Sequence, residues 1–367
     1  MARLAFLIPD LRGGGAERVA VNLIRHLVGR GHEVDLVVMA RSGELLDLVP
    51  PEVRVFDLEA GRVRNAIWPL VAYLRERRPA GLQVSMWPIT VVAIVAAKVA
   101  RVVTRVVVSD HSNLSRQYGG SRTAMAALRA SIRLFYPRAT ARVAVSSGCA
   151  DDLARLSRIA RAQFEVIHNP VDAPPAGADA SSVAQAWPGP GARILAVGNL
   201  MQVKNHALLI RAFAELVKTH PAALMILGEG ERRESLEKLT GDLVVAEHVA
   251  MPGFVTDPAP YYAAADLFVL SSDYEGFGNV IVEALHAGLP VVSTDCPSGP
   301  AEILEPGKHG TLVPCGDPER LAAAMAEALD GVTDCEAQKK RARDFSMEVA
   351  ADRYLALLLG TPASVPA

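Results

Sequence analysis

Short apolar, β-branched runs alternate with segments of helical period, and the whole series is played twice along the chain. The first series is RLAFLI, EVDLVVM, VRVFDL, LQVSM, TRVVVS, RVAVS and FEVIH. Between them lie segments such as AERVAVNLIRHLVGRG, with Gly31 as C-cap. Runs apolar at nearly every residue belong to strands buried on both faces, so the expectation is a parallel sheet covered by helices. APPAGADASSVAQAWPGPGA then breaks the pattern and has no period of its own, which reads as a linker. The series restarts with RILAVGN, ALMILGEG, HVAMPGF, DLFVLSS, PVVSTD and GTLVP, and closes on an amphipathic helix, FSMEVAADRYLALLL, with Ser346 as N-cap. At 367 residues the chain suits two such domains. The expected division is 1–172, a linker at 173–191, a second domain at 192–345, and a terminal helix and tail at 346–367. Two doubly wound domains facing a central cleft place ligands beyond the carboxyl ends of the strands, so the loops after strands are where function is sought.

Hydrophobic residues make up 50% of the chain and charged residues 21%, which excludes disordered, collagenous and nucleic-acid-tail compositions. The net charge of -2 conceals an asymmetry: residues 1–172 hold 24 Lys and Arg against 15 Asp and Glu, leaving 14 against 25 for the remainder. From Ala60 to Arg142, 14 basic residues face only Glu76 and Asp110. A basic face invites an anionic partner, a membrane surface or a phosphate-bearing molecule; the alternative is a solvated arginine surface. Arginines with Ile67, Trp68 and Leu70 would give a peripheral amphipathic contact. Cys149, Cys296, Cys315 and Cys335 lack the spacing of a zinc site or a disulfide framework and fit a reducing compartment. The N-terminus reads as a first strand rather than a signal peptide. ITVVAIVAAKVARVVTRVVV is interrupted by Lys98, Arg101 and Arg105, short of the roughly 20 apolar residues a membrane span needs. The expected location is cytoplasmic, with peripheral contact at the inner membrane face left open.

Three loops carry chemistry. In IPDLRGGGAERV, Gly13, Gly14 and Gly15 follow a strand and open a helix, where backbone N–H groups can approach a phosphate or sugar closely. A dinucleotide fingerprint needs a third spaced glycine where Arg18 stands, which disfavours a dehydrogenase. VGNLMQVKNH opens the second domain alike, with Lys204 at a helix start where an ammonium can meet a diphosphate. In SSDYEGFGNVIVEALHAG, Gly276 and Gly278 let amides point at a ligand, while Glu275 and Glu283 can accept hydrogen bonds from vicinal hydroxyls. The bland alternatives are a flexible glycine turn, a surface lysine and two solvated glutamates.

The spacing Glu275, seven residues, Glu283 within YEGFGNVIVEALHAGLPVV resembles the E-x7-E element of retaining glycosyltransferases of family 4, whose fold is GT-B. GGGAERVAVNL, VGNLMQVKNH, HVAMPGFVTD, CPSGPAEIL and GTLVPCGDPERLAAAM resemble further segments of that family in the same order, so the likeness covers nearly the whole chain. It implies an α/β GT-B chain of two Rossmann-like domains, the first for the acceptor and the second for the nucleotide-sugar, with the C-terminal helix crossing back to the first. It further implies that Glu283 binds the donor's ribose and Glu275 its sugar. The amides beside Gly276, at Phe277, Gly278 and Asn279, would hold sugar and phosphate, Lys204 the diphosphate, and the backbone at Phe254 and Val255 the base. Gly14 and Gly15 would lie beneath the diphosphate and the reacting carbon. Members commonly carry an arginine where this chain has Asn199, so the diphosphate is held with one cation fewer or by a substitute. His111, after a strand of the first domain, matches a family position that contacts the donor sugar only loosely; a capping or exposed histidine is the alternative. His168 is read as structural.

The expected activity is transfer of a sugar from a UDP- or GDP-sugar to an acceptor hydroxyl with retained configuration, in cell-surface polysaccharide or glycolipid assembly. Glu275, His111 and Lys204 are the candidate catalytic residues. No Asp-x-Asp follows a strand and no histidine cluster occurs, so neither a metal nor another cofactor is expected, the nucleotide-sugar being a co-substrate. The expected partners are that donor, a saccharide or lipid-linked saccharide acceptor, and an anionic membrane surface, with no nucleic acid. A GT-B nucleotide-sugar epimerase, a sugar phosphorylase and a non-catalytic binding protein are the rivals. Donor sugar, base, acceptor, linkage and oligomeric state are not readable from the residues.

Overall fold

The computed structural model describes residues 2–12, 14–174 and 179–361. They form two compact units, one of the described residues up to 170 together with 346–361, the other of those between 171 and 345.

The first unit runs β1 (Arg3–Ile8), α1 (Gly15–Gly29), β2 (Glu33–Val38), β3 (Arg54–Asp57), α2 (Ile67–Arg77), β4 (Gly81–Ser85), α3 (Ile89–Ala100), β5 (Arg105–Asp110), α4 (Leu114–Gln117), α5 (Arg122–Phe135), β6 (Ala141–Ala144), α6 (Ser147–Ser157) and β7 (Glu165–Val166). All its strands pair in parallel, in the order β3-β2-β1-β4-β5-β6-β7. Leu4, Ala5, Phe6, Leu7 and Ile8 are all fully buried, which explains why β1 shows no alternation. The apolar 89–108 stretch divides into α3 and β5 with Arg101 in the left-handed region between them, and no helix among the described residues is long and apolar enough to cross a membrane.

The second unit runs β8 (Ala192–Val197), α7 (His206–Leu216), β9 (Ala222–Leu227), α8 (Arg233–Asp242), β10 (Val249–Gly253), α9 (Ala259–Ala264), β11 (Leu267–Leu270), α10 (Asn279–His286), β12 (Val291–Thr294), α11 (Pro300–Lys308), β13 (Thr311–Val313), α12 (Pro318–Asp330) and α13 (Cys335–Arg343). Its sheet is again all parallel, ordered β10-β9-β8-β11-β12-β13. The stretch read as a linker belongs to this unit: residues 180–182 and 184–186 form single 3-10 turns and Trp187 is buried, while residues 175–178 lie outside the described residues.

The last helix, α14 (Met347–Leu359), returns to the first unit. Met347, Ala350, Ala351, Tyr354, Leu355 and Leu358 recur at helical spacing and join the core that β1 and α1 build. Leu358 covers the start of β4 so closely that a Cβ on Gly81 would stand 2.7 Å from the Leu358 carbonyl oxygen. Ser346 does occupy the N-cap position, but its side chain makes no capping bond.

In each sheet the strand order reverses beside the first strand of the unit, at β1/β4 and at β8/β11. Loops leaving the carboxyl ends of those neighbours are brought side by side, the arrangement that makes a ligand site in doubly wound sheets. His206, at the start of α7, supports one such loop: it is buried, with Nε2 3.3 Å from the Gly198 carbonyl oxygen. Burial pushes its pKa down to about 4, with the Lys204 ammonium adding to the fall and the carbonyls of Gly198 and Asn199 opposing it.

Two outcomes follow from these contacts. Leu358→Ala should lower stability by about 2–5 kcal/mol, read in urea unfolding of the full chain. Between pH 6.5 and about 4 the unfolded chain protonates His206 before the folded chain does, so stability falls as pH drops through that window. His111 acts with the same sign and Asp110, held up to about 6 by burial, with the opposite one. His206→Asn should remove about 3 kcal/mol of the pH-dependent loss, measured as the difference between the two proteins' stabilities at pH 7 and pH 4.

Candidate functional site

Gly198 to Lys204 leave β8, and Ser271 to Gly278 leave β11. Gly228, at φ 151°, lets the end of β9 press on the first loop, where a Cβ would stand 2.1 Å from the Gly198 carbonyl oxygen. Residues 202–204 make one 3-10 turn, and Asn205, in the left-handed region, is the true N-cap of α7, accepting from the Leu208 amide at 3.2 Å. Lys204 therefore precedes the cap rather than lying in the helix's first turn. The other end of the Asn205 side chain donates to Asp273 at 2.8 Å, and the Asp273 amide donates to the Val203 carbonyl at 2.8 Å. These two bonds lace together loops that are far apart in sequence.

Lacing brings the Lys204 ammonium to Glu275, where Nζ donates to Oε1 at 2.6 Å. The Ser272 hydroxyl donates to the same oxygen at 2.7 Å, and the Glu275 amide donates to the Pro297 carbonyl at 3.2 Å. Exposure of the two side chains is 23% for Lys204 and 11% for Glu275, so the pair is shielded without being sealed. Glu275 is thus a partly buried ion-pair member, not a solvated glutamate at a loop mouth.

Gly276, Phe277 and Gly278 are buried beyond it, and Gly278 at φ 103° is the N-cap of α10. Gly299, at φ 104°, approaches so near that a Cβ would stand 1.8 Å from the Phe277 carbonyl oxygen, so no other residue fits without moving the loop. The Phe277 ring packs edge-on against Phe345 at 5.3 Å. Asn279 is the first residue of α10 and Glu283 the fifth. Glu283 accepts a hydrogen bond from the Tyr262 hydroxyl at 2.8 Å, and burial with this carboxylate beside it holds the Tyr262 phenol well above its ordinary pKa. Both glutamates therefore sit on the strand-β11 side of the switch point, each already oriented by a hydroxyl.

Asn199 is exposed on the β8 loop. Phe254 is 51% exposed and Val255 partly so; they follow β10, two strands from β8 in the sheet. The structure thus brings Lys204 and Glu275 into contact and sets Glu283, Asn199, Phe254 and Val255 on the same carboxyl edge without direct bonds to that pair.

Gly14, Gly15 and His111 belong to the first unit. Gly14 is the N-cap of α1 and Gly15 its first residue, while Gly13 lies outside the described residues. Glu17 folds back over this loop, its Oε2 2.3 Å from where a Gly14 Cβ would be, and burial raises its pKa. His111 follows β5, with Nε2 3.3 Å from the Ser85 hydroxyl and 3.1 Å from that of Ser109, which in turn lies 3.1 Å from the Tyr354 hydroxyl of α14. Burial lowers the His111 pKa to about 4, the Asn169 side chain opposing, so the imidazole is neutral at pH 7.

Ser272, Asn205, Asp273, Tyr262 and Gly299 were not singled out from the sequence. Ser272 stands in the quoted loop and could have been read as a companion of Glu275. Tyr262 lies 21 residues before its partner, and no local signal connects them.

Models of two families match the chain, "Glycosyltransferase Family 4" over residues 13–173 and "Glycosyl transferases group 1" over residues 179–345. Among curated proteins, the Campylobacter jejuni N-acetylgalactosamine-N,N'-diacetylbacillosaminyl-diphospho-undecaprenol 4-alpha-N-acetylgalactosaminyltransferase is 30% identical, with 94% of each chain covered. LpsE of Rhizobium meliloti, a lipopolysaccharide core biosynthesis glycosyltransferase, is 36% identical over 46% of this chain and 50% of its own. Among solved structures, Anabaena HepE in complex with UDP-glucose superposes with a TM-score of 0.82 at 22% identity, covering 98% of this chain and 100% of that one, a likeness of fold. Paired family matches, a relative aligned along nearly its full length and two parallel doubly wound sheets agree: the chain is an enzyme of the family 4 glycosyltransferases, with the GT-B fold.

Proposed function

We propose that the chain transfers a sugar from a nucleotide diphosphate-sugar to an acceptor hydroxyl with retained anomeric configuration, in the assembly of a cell-surface polysaccharide or glycolipid. The observation that carries this reading is the pairing of Lys204 with Glu275 at the β8/β11 switch point, with Glu283 on the helix that follows. A cation, a sugar-accepting carboxylate and a second carboxylate there match the needs of diphosphate, hexose and ribose in turn. As the glycosidic bond breaks, the diphosphate gains negative charge. Lys204 then exchanges its bond to Glu275 for one to phosphate, leaving Glu275 to accept from the sugar hydroxyls, with Ser272 still orienting it. Amides at Phe277, Gly278 and Asn279 and the start of α10 serve the same charge. Glu283 takes the ribose, and Phe254 and Val255 flank the base. In the first unit Gly14 and Gly15 approach the diphosphate, and a neutral His111 donates or accepts at the donor sugar. The leaving phosphate takes the acceptor's proton on the same face.

The proposed transfer proceeds without a metal ion. The diphospho-undecaprenol in the name of the Campylobacter relative supports a lipid-linked saccharide as acceptor. A cytoplasmic enzyme at the inner membrane face follows from such an acceptor. The first unit supplies a surface for that contact. Leu70 is fully buried and Arg77 is spent on Asp35 and Glu33, so neither contributes to it. Trp68 is 70% exposed, and a groove of ≈ 240 Å³ between α3 and α5 is lined by Ile94, Val95, Val99, Leu134 and Phe135 with Lys98 and Arg138.

Thermal unfolding with UDP, GDP, ADP and their sugar conjugates tests the donor site. One nucleotide family at about 100 times its Kd should stabilise the protein by roughly 2.7 kcal/mol, undiminished by EDTA, and Glu283→Ala should abolish the shift. A shift that survives Glu283→Ala removes the ribose role. In flotation, the protein should rise with phosphatidylglycerol vesicles and stay down with phosphatidylcholine, and 0.5 M salt should release it on the order of tenfold. Equal binding to both vesicles ends the anionic-membrane reading.

A further inference from the structure

β12 and β13 run in register, with Val292 opposite Thr311, Ser293 opposite Leu312 and Thr294 opposite Val313. The Asp295 amide donates to the Val313 carbonyl at 2.7 Å, which carries the ladder past the strand ends. Two residues beyond Thr294 and Val313, past the ends of both strands, stand Cys296 and Cys315, at the same sequence offset as the paired residues. Residues paired in register on parallel neighbours share a face of the sheet. Both sides indeed address one atom: the Thr294 hydroxyl donates to the Ser272 carbonyl oxygen at 2.7 Å, and the Cys315 Sγ lies 4.0 Å from it. Cys296 is 3% exposed and Cys315 is exposed. Burial pushes the Cys296 thiol well above its ordinary pKa, with Glu275 and then Cys315 adding to the rise. Cys296 is therefore a poor first target for an oxidant, and the accessible thiol beside it is the better one.

We propose that Cys296 and Cys315 are a reversible oxidation site, closing to an intramolecular disulfide when hydrogen peroxide reacts with Cys315. The Cys315 sulfur attacks one peroxide oxygen, the O–O bond breaks, and sulfenic acid and water result. The Cys296 sulfur then attacks the sulfenic sulfur. An S–S bond forms, the S–O bond breaks, and hydroxide leaves with the Cys296 proton as a second water. Two thiols have lost two electrons and two protons, and one peroxide has become two waters. A dithiol reverses the reaction by exchange.

The bond closes on the segment that holds the site. Pro297, next to Cys296, accepts from the Glu275 amide, Ser272 donates to the Glu275 carboxylate, and Gly299 abuts the Phe277 carbonyl. Drawing Cys296 toward Cys315 moves Pro297 and with it Glu275, so oxidation weakens donor binding; this consequence rests on the donor site proposed above.

The test treats the reduced full chain with hydrogen peroxide, blocks the remaining thiols and maps peptides without reductant. The expected result is one linked pair containing residues 296 and 315, lighter by two hydrogens. The thiol titre of the denatured protein should fall from four to two and recover with dithiothreitol. Cys296→Ser and Cys315→Ser should abolish the link and Cys335→Ser should not. Sulfinic acid at Cys315 with Cys296 still reduced, a link from Cys315 to Cys335, or links between molecules only would each overturn the assignment. Nucleotide-induced thermal stabilisation of the same samples reads the consequence: the oxidised protein should need about tenfold more nucleotide for an equal shift. An unchanged response in linked protein overturns the coupling to Glu275. A reduced protein that responds to no nucleotide counts against the donor site, whereas the peptide map decides the disulfide in either case.

Discussion

A shielded ion pair between Lys204 and Glu275 is the contact around which the second unit's carboxyl edge is arranged. At 2.6 Å, with both side chains mostly covered, it lies between the surface pairs worth little and the buried pairs whose disruption costs about 3–5 kcal/mol. Its value depends on donors that meet the carboxylate from other directions. Ser272 provides one, and the Asn205–Asp273 bond keeps the two loops from drifting apart. A ligand carrying both phosphate and hydroxyls can replace each half of the pair with a partner of like chemistry, so the charges need never be left bare on the way to the bound state.

That pair exists because parallel strand order is not chain order. β8 and β11 are neighbours although two strands and three helices intervene, and their carboxyl ends release loops 71 residues apart in sequence. The first sheet repeats the device at β1 and β4, setting the glycine loop before α1 at the same kind of position. His111, one strand further on, is tied through Ser109 to Tyr354 on α14. The C-terminal helix therefore does more than cover apolar surface: it finishes the hydrogen-bonded surroundings of a candidate catalytic residue, and its core residues depend on the chain returning after residue 345.

Side-chain surroundings also changed the meaning of single residues. Leu70, which reads as part of an amphipathic surface, is core, and Arg77 is consumed by Asp35 and Glu33. Asp110, one of two acids counted against the basic stretch, is buried and hydrogen-bonded to Tyr136 rather than standing on the surface. The exposed basic surface of the first unit is accordingly smaller than the arginine count suggests, and its exposed apolar side chains include Trp68 and Val103.

The residue string contained the thirteen strands found among the described residues, the two-unit class and the positions of the glycine loops, since these follow from local rules. Continuous apolar runs demand two-sided burial, and turns at φ near 100° demand glycine, as at Gly278. The spacing of Glu275 and Glu283 was equally legible, being set within one loop and one helix. Tertiary structure alone decided that Lys204 meets Glu275, that Tyr262 orients Glu283, that Thr294 pairs with Val313, and that Ser346 caps by position without a side-chain bond. Each of these depends on strand order and register, which are settled by how helices cover both faces of a sheet. No short stretch of residues encodes that outcome, because the energy deciding it is summed over the whole core.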